Sequence, residues 1–263
     1  MKQLVVASIP AEGEVIELTQ EQHHYLARVR RMAAESEISC VDRNGRRARA
    51  VVVAPAAADQ DRMVLRVVER EEEVSAGSAT VSPIPVTLYL ALLKGKKLDA
   101  VVRQVTELGV DRIVPVITRH CVSRPDPGDL LRKSHRWEGI VREATQQSGR
   151  PTLPTLAPAA QLTDLGVPDT PAEEASSLSV VFHETAERVL TIRRGIDYPR
   201  PLGAIRVLVG PEGGLAGEEV TYLAEKGWKI RRMPVPVLRA ETAAVAAATL
   251  VQSLRSEYTA SAS

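Results

Sequence analysis

Ile205-Arg206-Val207-Leu208-Val209-Gly210-Pro211-Glu212-Gly213-Gly214 is the stretch on which the fold turns. Its first five residues form a short, mostly apolar run of the kind that makes a buried strand. A glycine-rich loop follows at once, and residues 218–226 then read as a helix capped by Gly227. In an open α/β sheet, ligands bind at the carboxyl ends of strands, where loops and helix N-termini offer unpaired N–H groups. Glycine lets the backbone come close to such a ligand. The plain alternative is an ordinary tight turn. No Lys-Ser/Thr pair follows the glycines and the spacing is not GxGxxG, so nucleotide hydrolysis and dinucleotide binding lose ground.

Downstream, Leu238-Arg239-Ala240-Glu241-Thr242-Ala243-Ala244 reads as the end of a strand and the start of a last helix, whose inner face carries Ala243, Ala246, Ala247, Leu250 and Leu254. Thr242 or Glu241 as a helix cap, and Arg239 as a surface cation, is the plain reading. Two such loops in neighbouring strand–helix units lie side by side at one sheet edge, which favours a binding site. Upstream, residues 178–182 and 86–92 read as strands. Leu98, Val101, Val102, Val105 and Leu108 have helical spacing and end at Gly109, and residues 113–117 form the next strand, completing a βαβ unit of right-handed crossover. Trp137, Ile140, Val141 and Ala144 mark a second helix. Residues 151–177, rich in Pro, Ala and Asp, read as an extended surface connection.

The first 74 residues have a different rhythm. Apolar runs at 4–7, 38–41, 50–53 and 64–68 are short and separated by turn residues, as in a small β-rich domain. Asn44-Gly45 between two of them suggests a type I′ hairpin turn, ringed by Arg43, Arg46, Arg47 and Arg49. The acidic run 69–73 and the Gly, Ser and Pro of 75–85 then break the composition. The expected division is a domain over 1–74, a linker over 75–85 and an α/β domain over 86–263.

At 263 residues, with a formal net charge of +1, the chain can bury a core and is not uniformly basic. It shows no signal-peptide pattern and no bilayer-length apolar run, so a soluble, cytoplasmic protein is expected. Cys40 and Cys121 are far apart and read as free thiols. His23, His24, His120, His135 and His183 have no metal-ligand spacing, and no GxSxG elbow is present. Cations cluster at Arg28, Arg30 and Arg31, at the hairpin, at Lys94, Lys96, Lys97 and Arg103, and at Arg119, Arg124, Arg132, Lys133, Arg136, Arg142 and Arg150. They are either solvated faces or phosphate contacts. With aromatic residues at only 3%, base stacking is not the main mode of recognition, and phosphate and shape contacts dominate.

Four segments taken in order resemble one family. They are Lys94 through Thr106-Glu107-Leu108-Gly109-Val110, Glu143-Ala144-Thr145-Gln146-Gln147-Ser148-Gly149-Arg150, the glycine loop, and Leu238-Arg239-Ala240-Glu241-Thr242-Ala243. The family is the 16S ribosomal RNA uracil-N3 methyltransferases of the SPOUT, or trefoil-knot, class, and the similarity spans nearly the whole chain. The resemblance implies a PUA-like β-barrel ahead of a knotted α/β domain with an open, mostly parallel sheet. It also implies a homodimer, 16S ribosomal RNA of the small subunit as substrate and S-adenosylmethionine as cofactor, while the histidine and cysteine spacing leads us to expect no metal. Carried over by position, the cofactor loops comprise Val209, Gly210, Glu212, Gly213 and Gly214, then Val235, Val237, Leu238 and Thr242. Where the family has Leu-Gly-x-Arg-Ile-Leu-Arg, this chain has Met233-Pro234-Val235-Pro236-Val237-Leu238-Arg239, which removes two backbone N–H groups and leaves contacts there to Val235, Val237 and Leu238. Leu215 stands where an aromatic residue is usual.

Methyl transfer from a sulfonium is an in-line displacement, so alignment counts most. Arg239 is the candidate for stabilising charge on the uracil oxygens, with Glu241 orienting it or taking the N3 proton. On the RNA side the candidates are Arg28, Arg30, Arg31, Arg43, Arg46, Arg47, Lys94, Lys97, Glu107, Gln147 and Arg150. The rival readings are a non-catalytic RNA-binding or ribosome-assembly protein, a ribose 2′-O-methyltransferase of the same fold, and a pseudouridine synthase, which needs a loop aspartate that is not found beside the glycine motifs.

Overall fold

The computed structural model describes residues 3–53, 64–71, 84–122, 125–165, 177–190 and 202–259. Residues 75–83 of the expected linker, and Arg124, lie outside them. Contacts divide the chain into two compact units, Met1–Val81 with Arg142–Leu153, and Ser82–Val141 with Pro154–Ser263.

The first unit is built on five strands, β1 (Gln3–Val5), β2 (Val15–Ile16), β3 (Glu37–Val41), β4 (Arg47–Val53) and β5 (Val64–Arg70), in the order β1-β3-β4-β5-β2. Alternate residues Ala48, Ala50 and Val52 of β4 point inward onto Leu4, Leu26, Ile38 and Leu65, which is the period-two pattern of a sheet with one face buried. The edge strand β1 leaves few polar groups open. Val5 N–H donates to Gln146 Oε1 (3.0 Å), and Val5 C=O accepts from Gln22 Nε2 (2.7 Å). Gln3 Nε2 donates to Thr145 C=O (3.0 Å). A short helix, α1 (Gln20–His24), runs into a π turn over Tyr25–Val29, closed by Arg30 N–H on Tyr25 C=O.

The β3–β4 hairpin differs from expectation. Only Gly45 has positive φ (+79°), and Gly45 N–H bonds Asp42 C=O, so the chain turns through residues 43–45 rather than through a two-residue type I′ turn. The reason is Asp42. Its fully buried carboxylate accepts from the N–H groups of Asn44 (2.9 Å) and Arg46 (3.0 Å) and from Arg46 Nε (2.8 Å), which fixes the wider loop.

The second unit carries an all-parallel sheet in the order β12-β10-β11-β6-β7-β8, with β9 also on β7. Its strands are β6 (Val86–Ala91), β7 (Arg112–Ile117), β8 (Thr155–Leu156), β9 (Ala160–Gln161), β10 (Ser177–Phe182), β11 (Ala204–Val209) and β12 (Lys229–Arg231). Central strands are buried on both faces, which is why 205–209 is continuously rich in apolar residues. One face packs on α2 (Lys97–Glu107), α3 (Pro127–Ser148) and α5 (Ala240–Thr259), and the other on α4 (Gly217–Glu225). Ala240, Ala244, Ala247 and Ala248 are buried, and these small side chains let α5 lie close over β11 and β6.

Two further readings need correction. Residues 151–177 are not simply an extended surface connection: β8 and β9 pair with β7, and Leu162 and Leu165 are buried. The break between β8 and β9 falls opposite Pro115, which has no N–H for the ladder. Residues 166–176 of that segment lie outside the described residues. Leu238 is not at a strand end, because β12 stops at Arg231 and an irregular loop, 232–239, separates it from α5. Pro234 and Pro236 in that loop cannot donate to a ladder.

Replacing Asp42 by Ala strands two loop N–H groups and one guanidinium bond. We expect a loss of about 2 kcal/mol in urea unfolding followed by circular dichroism, with Asp42→Asn losing less.

Candidate cofactor and active site

All strands of the second unit run one way, so the loops at their carboxyl ends share one edge. After β11, the chain turns through Pro211-Glu212-Gly213-Gly214, closed by Gly214 N–H on Pro211 C=O (2.9 Å), with Gly214 at φ +70°. A side chain at Gly210 would meet Leu215 at 3.2 Å, and one at Gly213 would meet His120 at 3.2 Å. Gly213 C=O also faces His120 Nδ1 at 3.1 Å. Glu219, buried in the first turn of α4, holds this region by accepting from Ala216 N–H (2.8 Å) and Arg119 N–H (2.8 Å).

After β12, the loop 232–239 comes back to the same edge, with the tip of β10 between it and β11. The glycine loop, the tip of β10 and the arginine loop line one cavity of about 480 Å³, walled by Lys97, Phe182, Glu212, Gly214, Val237 and Arg239 among others. A second cavity of about 260 Å³ shares Phe182, His183, Glu184, Val237 and Leu238 with it and adds Met233, Val235 and Pro236. The larger falls within the usual size of small-molecule sites, ~300–1,000 Å³. An apolar wall beside carboxylates, an arginine and glycine backbone suits a ligand with a flat apolar part and a charged tail.

Lys97 joins the two sides. Its ammonium lies 3.1 Å from Glu212 Oε1 and 3.3 Å from Glu241 Oε2. Glu212 Oε1 also accepts from Lys94 N–H (3.2 Å).

Residues 80–252 match the RNA methyltransferase domain and residues 18–57 the RNA methyltransferase PUA domain. Ribosomal RNA small subunit methyltransferase E of Mycobacterium tuberculosis is 31% identical over 269 positions, covering 98% of this chain and 94% of the relative. The protein of the same name from Synechocystis is 30% identical, covering 95% and 77%. Among solved structures, ribosomal RNA small subunit methyltransferase E of Neisseria gonorrhoeae bound to S-adenosylmethionine superposes with a TM-score of 0.81 at 25% identity, over 97% of this chain and 98% of that one. A protein of Legionella pneumophila solved with S-adenosylmethionine has the same fold, with a TM-score of 0.79 at 23% identity over 95% and 96%.

This chain belongs to the ribosomal RNA small subunit methyltransferase E family. Its fold is of the trefoil-knot class, a PUA-like domain ahead of an open parallel sheet, as the resemblance implies.

Of the family's cofactor positions, Val209, Gly210, Glu212, Gly214, Val237 and Leu238 line the larger cavity, and Val235 lines the smaller. Gly213 and exposed Thr242 are in neither lining. Arg239 lines the larger cavity, and Glu241 reaches it through Lys97. Sequence reasoning placed Lys97 with the RNA contacts and missed Phe182, His183 and Glu184. Their only signal was their position at and just beyond the end of a strand. His183 Nδ1 is 2.9 Å from Thr185 Oγ1.

The RNA candidates are scattered. In the first unit Arg28, Arg31, Arg43 and Gln147 are exposed, and Arg30 is half-buried. Arg46 and Arg47 are half-buried and paired with Asp42 (2.8 Å) and Glu71 (3.3 Å), and Arg150 is 8% exposed. In the second unit Lys94 and Glu107 are exposed at opposite ends of the α2 region.

Burial pushes the Glu212 carboxyl up, but its own N–H, the Lys97 ammonium and the Lys94 N–H outweigh this and hold it below its ordinary 4.5. Glu241 is held low by its own backbone N–H, then by Lys97 and Arg239, against partial desolvation. The hydrogen bond to Glu212, followed by the pairing with Glu241, raises Lys97 above its ordinary 10.5. A depressed carboxyl contributes stability that is present above the unfolded-state value near 4.5 and is lost as pH falls through the lower folded value. The lysine's contribution is lost only as pH rises through its raised value. Glu212→Gln should therefore flatten the fall of stability below pH 4.5 in denaturation series, and leave its slope at neutral pH unchanged.

Proposed function

We propose that this chain methylates N3 of a uracil in 16S ribosomal RNA with S-adenosylmethionine as donor. The observation that carries the reading is the single cavity shared by the glycine loop and the Arg239 loop. Membership in a family whose relatives are named ribosomal RNA small subunit methyltransferases supports the substrate, and the Neisseria protein bound to S-adenosylmethionine supports the cofactor.

S-adenosylmethionine, when bound, supplies an electrophilic methyl group on a sulfonium. The residues that hold it are Val209, Gly210, Gly214 and Leu238 through close backbone and apolar approach, with Val235 and Val237 as an apolar wall. Arg239, exposed in the cavity wall, binds the uracil oxygens and stabilises the negative charge that grows there as the N3 proton leaves. Glu241, two residues further on at the start of α5, pairs with Lys97 at 3.3 Å and places a negative charge near Arg239. A carboxylate kept below its ordinary range is a weak base, so the proton passes to solvent.

Arg28, Arg31 and Arg43 of the first unit supply phosphate contacts, with affinity that falls steeply with salt. The protein works in the cytoplasm as a homodimer. Among the described residues no helix is long and apolar enough to cross a membrane.

Arg239→Ala should lower single-turnover methyl transfer to small ribosomal subunits by about 10²-fold or more while S-adenosylmethionine affinity in calorimetry stays near that of the parent. Near-normal turnover in that variant removes Arg239 from the mechanism. Digestion of the labelled RNA and mass mapping should return 3-methyluridine, and a label on ribose instead refutes the base specificity.

A further inference from the structure

We infer that Lys97 is a positioning residue of this site, a clamp that sets the glycine loop and the arginine loop at the spacing the cofactor requires. The inference rests on the methyltransferase reading above.

Three segments far apart in sequence meet at its ammonium. Lys97 opens α2 just after β6, Glu212 is in the loop after β11, and Glu241 is in the first turn of α5. The placement is unfavourable on local grounds. A lysine in the first turn of a helix faces the positive end of the helix dipole, and Lys94 and Lys96 stand beside it. Two carboxylates at 3.1 and 3.3 Å offset that repulsion. Partly exposed ion pairs of this kind add only about 1 kcal/mol to stability, so the arrangement does little to hold the fold and more to fix the two segments relative to each other.

The charges facing the site are Lys97, Glu212, Glu241 and Arg239, with His183 and Glu184 on the β10 side of the same cavity. Lys97 and Arg239 balance Glu212 and Glu241. Removing the lysine leaves one carboxylate in the glycine loop and one in the first turn of α5, directly after the arginine loop, with no shared cation, and both loops line the cavity. A guanidinium can bridge two carboxylates, so arginine is the conservative replacement.

The experiment is calorimetric titration of S-adenosylmethionine into the full chain and into Lys97→Met, Glu212→Gln, the double variant and Lys97→Arg, each first checked by thermal unfolding. Lys97→Met and Glu212→Gln are each expected to weaken binding about tenfold, and the double variant no more than either alone, because one clamp is lost in all three. Lys97→Arg is expected to regain most of the affinity. Binding in Lys97→Met within twofold of the parent, or additive losses in the double variant, overturns the clamp. So does weakened RNA binding with a shallower salt slope at unchanged cofactor affinity, which makes Lys97 a phosphate contact. If Lys97→Met does not fold, the comparison of Glu212→Gln with Lys97→Arg decides on the same terms. Absence of binding by the parent chain refutes the methyltransferase reading itself and is thereby distinguished from failure of the clamp.

Discussion

The common direction of β12, β10, β11 and β6 is the constraint from which the site follows. A parallel sheet sends each chain reversal to the same edge, so segments distant in sequence become neighbours there. Register does the fine placement. Phe182 pairs with both Val209 and Arg231, which levels the ends of three strands and puts His183, Gly210 and Arg232 at the start of adjacent loops. His183 N–H on Arg231 C=O (2.9 Å) extends that alignment one residue past the strands. The alanine face of α5 serves the same end, because a helix that sits close on β11 and β6 brings Glu241 in its first turn, and Arg239 just before it, to the edge where the glycine loop lies.

Charge at this edge is arranged around backbone as much as around side chains. Glu212 takes both a backbone N–H and the Lys97 ammonium on one oxygen, and Glu241 is held by its own N–H at the start of a helix. Backbone N–H groups and the shared lysine together hold both carboxylates below their ordinary range. The contrast with Cys40 is instructive. Burial alone pushes its thiol up to about 12, which leaves it a neutral core group at the centre of the first unit.

Much of this was legible in the chain itself where a period or a punctuation mark exists. The glycine loop stood out because an apolar run ends abruptly at Gly210, and α2 because five apolar residues keep helical spacing up to Gly109, which indeed has φ +89°. What escaped was set by tertiary partners. Nothing local to Lys97 says that Glu212 and Glu241, over a hundred residues away, will meet it. Arg46 and Arg47 look like loose cations until the buried Asp42 and the partly exposed Glu71 are seen beside them. The hairpin was read from Asn44-Gly45, yet the residue that chose its loop was Asp42, two places earlier. Strands β8 and β9 are two residues each, too short to carry a pattern.

The loop 232–239 shows how a departure from the family's pattern can keep a site open. Pro234 and Pro236 remove two backbone donors, and a ligand that relied on those N–H groups loses them. The cavity nonetheless persists, walled by Val235, Pro236 and Val237, the two valines being 45% and 77% exposed. Apolar side chains so open to water in a concave wall lower their free energy when a flat apolar group covers them, at roughly 25 cal/mol per Å² buried. Prolines also narrow the range of shapes the free loop visits, which reduces the entropy lost when a ligand fixes it. Shape and burial therefore dominate at the valines of this loop, and the charges lie at its end, at Arg239, and across the cavity, at Glu212 and Lys97.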